Sequence, residues 1–253
     1  MPDNVIIITG ANNGIGLGLA RALNNLGHQV VALDLSTENL NGIDSIVCDV
    51  TNPQLVKSTI SQIIEKWGRI DVLVNNACHA LFSPFEETAP EELYRELEVN
   101  YFGYVNMIRA VLPQMKKQGT GVIHNFSSTV GTSGFEGLSG YGSAKGAIES
   151  LSRTLAIEFE KYGIVVNLVH PPLTRTNSSS PLGIPDSFMA NSERVGHKLA
   201  RKIGSGKGVI TAGLVDTFGV FAARMVPEAM GRFMSKKAAS ARKKRNTSVR
   251  VDK

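Results

Sequence analysis

The chain has 253 residues, 42% of them apolar, enough to bury a large core as one α/β domain or two small ones, and no break in composition favours two. Its two cysteines, Cys48 and Cys78, stand outside any CxxC or His-rich cluster, which argues against a disulfide scaffold or a zinc site and for a reducing compartment. The net charge of +5 is concentrated at one end, where Arg232 to Lys253 hold nine Lys or Arg against one acid, so the basicity describes an appendage and not the body.

Taken in chain order, Met1 to Asn4 lead straight into VIIIT (5–9), a β-branched strand candidate with no leader pattern ahead of it, and the expectation is a cytoplasmic protein. TGANNGIG follows and opens a helix over Ile15 to Leu26, closed by Gly27. Glycines at 10, 14 and 16 let the backbone turn sharply and approach an anion at the helix start, where free N–H groups and the positive dipole end gather. Gly10, Asn12, Asn13, Gly14, Ile15 and Gly16 are therefore cofactor-binding candidates, although a glycine-rich turn is by itself a weak signal. The strand QVVALD (29–34) ends in Asp34, where an acid can accept both ribose hydroxyls of an adenosine and would repel a 2′-phosphate. Asn12, Asn13 and Leu35 supply no cation to offset that repulsion, so NAD is favoured over NADP. After SIV (45–47), Asp49 and Val50 can flank the adenine, with an ordinary turn aspartate as the competing reading for Asp49.

A helix is predicted over Pro53 to Trp67, then the strand VLVN (72–75), a helix over Pro90 to Lys117, the strand GVIHNF (121–126), a helix over Tyr141 to Tyr162 closed by Gly163, and the strand VVNLVH (165–170). This alternation is the pattern of βαβ units winding a parallel sheet with helices on both faces. On the last of these helices Tyr141 and Lys145 stand four apart and share a face. A neighbouring ammonium favours phenolate, so Lys145 is expected to lower the Tyr141 pKa and let the pair move a proton to or from a carbinol oxygen. Ser128, just beyond GVIHNF, can hold that oxygen. In HPPLTRT, Pro171 and Pro172 end the strand rigidly, with Thr174 and Thr176 just beyond. The segment from Thr174 to Met189, rich in Ser and Pro, is the one long irregular insertion.

From Val209 to Met234 the sequence reads as an amphipathic helix, and Asp216, Arg224, Glu228 and Pro227 disqualify it as a membrane span. IGSGKG is not a P-loop: Arg201 sits where the first glycine belongs and no Ser or Thr follows Lys207. ARKKR reads most simply as a solvated terminus. Peripheral contact with anionic lipid is the alternative, and no nucleic acid is expected, because neither a reader motif nor an aromatic platform accompanies the charges.

The ordered set TGANNGIG, Asp34, CDV, NNAC, Asn100 within VNYFG, NFSS, YGSAK and HPPLTRT resembles the short-chain dehydrogenase/reductase family over residues 5 to about 176. The resemblance implies a Rossmann-type doubly wound fold and reversible hydride transfer between NAD(H) and a small-molecule secondary alcohol or ketone. It implies Tyr141 as acid/base, Lys145 tuning it and binding the nicotinamide ribose, and Ser128 steadying the carbonyl. Asn100 would hold a water that links Lys145 to solvent, and Asn76 and Ala77 would line the cofactor groove. Pro171, Thr174 and Thr176 would clamp the carboxamide; the second proline replaces a glycine, and Cys78 stands where the family has glycine. No metal is required. The end of the chain lacks the glycine-rich segment of family tetramers, which weakens the expectation of a homo-oligomer, and loosely resembles the branch acting on steroids, retinoids and sphingoid bases. Leu182, Ile184, Phe188 and Met189, with His79, Phe82 and Phe135, suggest an apolar substrate pocket.

The expected organisation is a catalytic domain over 1–205 with a substrate loop near 174–195, a helical extension over 206–234, and an unstructured basic tail over 235–253. The rival functional reading is a dinucleotide-binding regulator or scaffold, without catalysis, that meets a membrane through its tail.

Overall fold

The structure, a computed structural model, describes residues 4–205 and 208–251, with side chains described as far as Ala241. Seven strands form one parallel sheet: β1 (Val5–Thr9), β2 (Gln29–Asp34), β3 (Asp44–Val47), β4 (Val72–Asn75), β5 (Gly121–Phe126), β6 (Ile164–His170) and β9 (Val209–Thr211). Their spatial order is β3-β2-β1-β4-β5-β6-β9. A separate parallel pair, β7 (Thr174–Arg175) and β8 (Ala190–Asn191), brackets the insertion.

The central strands are largely apolar because both faces are covered, whereas β3 at the sheet edge is half-exposed. In β1, Ile6 and Ile8 point into one layer with Leu19 and Leu23 of α1 (Gly14–Asn25) and Val195 and Leu199 of α7 (Ser192–Ala200). Val5 and Ile7 point the other way, against α2 (Pro53–Trp67), α4 (Gly103–Gln118) and α6 (Ser139–Glu160), through Ile60, Met107 and Phe159. The sheet order reverses between β1 and β4, so the loops leaving these two strands diverge and open a crevice at their carboxyl ends.

Several expectations need correction. The helix expected over 90–117 is interrupted: α3 (Pro90–Leu97) passes through a π-helical turn, Glu98–Phe102, before α4 begins. The substrate loop expected to reach residue 195 stops at β8, and α7 begins at Ser192, just past the insertion. The run after Gly208 does not start as a helix, because Val209–Thr211 adds β9 to the sheet edge beside β6, so the boundary expected at 205/206 does not separate an extension from the sheet. Beyond it, α8 (Leu214–Met225) breaks at Val226, and α9 (Pro227–Val251) continues as helix through the stretch expected to be unstructured. Pro227 supplies the break: it can begin a helix and cannot continue one.

Candidate active site

A single cleft of about 790 Å³ runs from the carboxyl end of β2, across the crevice, to α9. At its first end lie Gly10, Asn13, Gly14, Ile15, Asp34, Asp49 and Val50. Gly10 and Gly14 have φ of +65° and +56°, values side chains rarely tolerate, and a Cβ on Gly16 would collide with the Gly10 carbonyl oxygen. These glycines allow the start of α1 to sit against the cleft. That helix has no side-chain cap and no acid in its first turn, so its amino end is free to receive an anion. Asp34 is fixed by the backbone N–H groups of Asn12 (2.8 Å) and Leu35 (2.7 Å), which hold its carboxylate at the cleft edge. The donor set therefore fits a dinucleotide: amide N–H groups for phosphate and a carboxylate for a ribose diol.

Two residues singled out from this turn do not line the cleft. The Asn12 amide donates to Ser36 (2.9 Å) and accepts from the Asn39 N–H (2.8 Å), bracing the turn from behind, and Gly16 packs under Gly10. Both readings of Asp49 hold at once: it borders the cleft, and its Oδ1 accepts from the N–H and hydroxyl of Thr51 at 2.9 and 2.8 Å.

At the middle of the cleft Asn76, Ala77, Ser128, Tyr141, Lys145, Pro171, Thr174 and Thr176 come together. Thr9 holds the loop after β4, its hydroxyl accepting from the N–H groups of Asn76 (3.0 Å) and Ala77 (3.1 Å). Ser128 hydrogen-bonds the Tyr141 phenol. Lys145 is buried, and its ammonium donates to the Phe126 carbonyl (2.8 Å) and the Tyr104 hydroxyl (3.1 Å) while sitting 5.7 Å from the Tyr141 ring centre. The Thr174 hydroxyl donates to the Pro172 carbonyl (2.7 Å), so the clamp is fastened within its own turn. Asn100 is buried in the π-turn and off the cleft. Its side chain accepts from the His79 N–H (3.0 Å) and donates to the His79 carbonyl (2.6 Å), fixing the loop that carries Cys78.

The electrostatics differ from expectation. Burial pushes the Tyr141 phenol well above its ordinary value, the charges of Cys78 and Glu96 push the same way, and the Ser128 hydrogen bond offsets them only in part. Burial also lowers the Lys145 ammonium. Lys145 spends its donors on Phe126 and Tyr104, so in this arrangement Tyr141 is held protonated instead of acidified. The Cys78 thiol, open to the cleft yet deep within it, is raised by burial, with Lys145 lowering it and Glu96 raising it further.

Several site residues escaped the sequence reading. Glu96 is buried, accepts from the Leu81 N–H (2.9 Å) and from the backbone of Tyr141, and thereby caps the amino end of α6. Glu149, on α6 one turn beyond Lys145, pairs with buried His170 at 2.9 Å, Arg153 at 3.0 Å and Arg224 of α8 at 3.4 Å, and accepts from Ser127 at 3.2 Å. Burial alone would raise the Glu149 carboxyl, but the hydrogen bond and charge of His170, with Arg224 and Arg153, outweigh it and bring it down to about 2. This network ties the Tyr141 helix to the end of β6, the strand that leads into Pro171. Only the i, i+4 spacing of Lys145, Glu149 and Arg153 hinted at it.

The far end of the cleft is apolar, lined by Phe82, Phe135, Leu182, Ile184 and Phe188 as expected, and by Met234, Ala238 and Ala241 of α9, which were not. Met189 and His79 lie outside it; Met189 faces Ser179 and His79 faces Glu92. The extension is locked in place where Gly231 packs against the Ser133 carbonyl, with no room for a Cβ, and where the Ser235 hydroxyl accepts from the Glu136 N–H (3.1 Å).

Residues 4–184 match the family model described as short chain dehydrogenase. The chain belongs to that family. Among curated short-chain dehydrogenases and reductases, it is 39% identical over 172 residues to a 3-ketodihydrosphingosine reductase of Bacteroides thetaiotaomicron, a match spanning 68% of this chain and 64% of the relative, just under two thirds of that protein. It is 28% identical over 272 residues to dehydrogenase/reductase SDR family member 7B of Xenopus tropicalis, spanning 96% and 88% of the two chains. A solved short-chain dehydrogenase from Streptomyces avermitilis superposes with a TM-score of 0.77 at 28% identity, over 87% of this chain and 92% of the other. That family comprises oxidoreductases that bind nicotinamide dinucleotides and act on small molecules.

Proposed function

We propose that this short-chain dehydrogenase interconverts a hydrophobic ketone and its secondary alcohol, with NAD(H) favoured over NADP(H). The observation that carries the proposal is the convergence of Ser128, Tyr141 and Lys145 on the same cleft as Asp34 and the open amino end of α1. Asp34 and the first turn of α1 would hold the adenosine and phosphate end, and Asn76, Ala77, Pro171, Thr174 and Thr176 the other. When bound, the nicotinamide supplies or accepts the hydride.

The chain's own residues supply the rest. Ser128 donates a hydrogen bond to the substrate oxygen and fixes its position beside the phenol. Tyr141, protonated at neutral pH, gives its proton to that oxygen as the carbonyl is reduced and takes one back in the reverse direction. Lys145 stands beside the phenol ring, held by the Phe126 carbonyl and the Tyr104 hydroxyl, and Asn100 holds the loop after β4. The wall formed by Phe82, Phe135, Ile184, Phe188 and Met234 excludes water and favours an apolar substrate. The Bacteroides relative, by name a reductase of a keto compound, supports the carbonyl side of the reaction.

The test is NADH-dependent reduction across ketones graded from short-chain to steroid-sized, with NADH and NADPH titrated side by side. Turnover should increase with apolar bulk, and NADH should bind at least about tenfold more tightly, since a carboxylate facing a 2′-phosphate costs more than 1.4 kcal/mol in a low-dielectric cleft. Equal affinity for both cofactors would overturn the Asp34 argument, and absence of turnover with every ketone would overturn the activity.

A further inference from the structure

Helix α8 is turned inside out. In a surface helix the apolar stripe faces the core and the polar residues face water. Here Leu214, Phe218, Phe221 and Met225, at i, i+4, i+7 and i+11 on one face, are 89%, 71%, 59% and 65% exposed, and Val215 and Val226 flank them. The face toward the protein carries only Val220 and Ala223 as buried residues, along with half-buried Asp216 and Gly219. Arg224 reaches to buried Glu149. This orientation is anchored and not slack, because the Arg224–Glu149 pair and the packing of α8 beside β9 and α9 fix which side faces out. No element among the described residues covers the stripe, which exceeds the scatter of single apolar residues normal on a surface.

We infer that the outer face of α8, together with the basic helix α9, is a docking surface for an anionic lipid bilayer. The choice of occupant rests on charge. From Arg232 onward the chain carries nine Lys or Arg against one acid, while the rest is net negative, and the helix that carries this charge begins just after α8 ends and packs beside it. An apolar face flanked by basic residues inserts shallowly at the headgroup boundary, attracted by anionic lipid. A second copy is a poor occupant, because a two-fold axis pairing α8 with its mate would bring two such basic helices together. No helix among the described residues is long and apolar enough to cross a membrane, so the contact is one of lying on the surface.

Docking would set α9, which borders the apolar end of the cleft, at the lipid surface. That consequence for substrate entry rests on the proposed function, whereas the docking itself does not.

The test is flotation of the full chain with phosphatidylcholine vesicles made with and without phosphatidylserine, with ketone turnover measured separately in the absence of lipid. The native chain should float with the anionic vesicles. Phe218→Gln with Phe221→Gln, and separately Lys243→Glu with Lys244→Glu, should each lower apparent affinity by at least about tenfold, two charges being worth that much at an anionic surface. Turnover without lipid and oligomeric state by light scattering should not change. Failure of the native chain to float, flotation that neither variant weakens, or dissociation of a dimer by the Phe218 and Phe221 substitutions would overturn the inference, the last by assigning the face to a second copy. Loss of flotation with turnover intact separates this site from the catalytic one.

Discussion

At the scale of single residues, the state of Tyr141 governs the proposed proton transfer. Its phenol is raised by burial, so the protonated form persists through neutral pH. Carbonyl reduction, which uses that form, should be flat across neutral pH, and alcohol oxidation, which needs phenolate, should climb as pH rises, approaching about tenfold per unit. An oxidation rate that falls as pH rises through neutrality would contradict this assignment. Glu149 works in the opposite sense. Its folded pKa of about 2 lies below the ordinary 4.5, so its stabilisation is fully present above 4.5 and is lost as pH falls toward 2. A depression of this size corresponds to roughly 3 kcal/mol. Urea midpoints measured between pH 6 and pH 3 should therefore fall steeply for the native chain and less steeply for Glu149→Gln. That Tyr141, Lys145, Ser128 and Asp34 would meet in one cleft was legible in the sequence, because each belongs to a short local pattern. Glu149 with His170, and Glu96 with the start of α6, were not, because each pairing is made only when distant elements pack. Lys145 was misjudged for the same reason: its partners, Tyr104 and the Phe126 carbonyl, come from other elements.

At the scale of elements, strands buried on both faces wrote themselves into the sequence as apolar runs, and β1, β2, β4 and β5 have the bounds those runs predicted. Short elements did not. Three residues of β9 give no periodicity, and they joined an apolar stretch whose helix starts only at Leu214. The course of α9 was invisible for a different reason, since its place depends on contacts with residues distant in the chain, Gly231 against the Ser133 carbonyl and Ser235 with the Glu136 N–H. Gly231→Val should lift α9 from that seat and open the apolar end of the cleft. KM for a large apolar ketone should rise at least about tenfold, as expected when one or two buried apolar contacts of about 1.5 kcal/mol each are lost. KM for a short-chain ketone should change little, and an equal effect on both substrates would show that α9 does not shape the pocket.

At the scale of the whole molecule, the strand order places the glycine turn, Asp34 and the loop after β4 around one crevice, and the carboxyl ends of β5 and β6 bring Ser128 and Pro171 to its other half. The doubly wound architecture was readable from the alternation of strands and helices, but the continuity of the cleft into α9 was not, since it joins the two ends of the chain. The central claim is that cofactor binding and proton transfer occupy separable parts of this one cleft. It is tested most directly by Tyr141→Phe, comparing the rise in melting temperature on adding NADH with turnover of a ketone that the native protein reduces. The account predicts the same NADH-induced rise in both proteins and a loss of turnover of about 10²- to 10⁴-fold in the variant. A variant that keeps native turnover would contradict it.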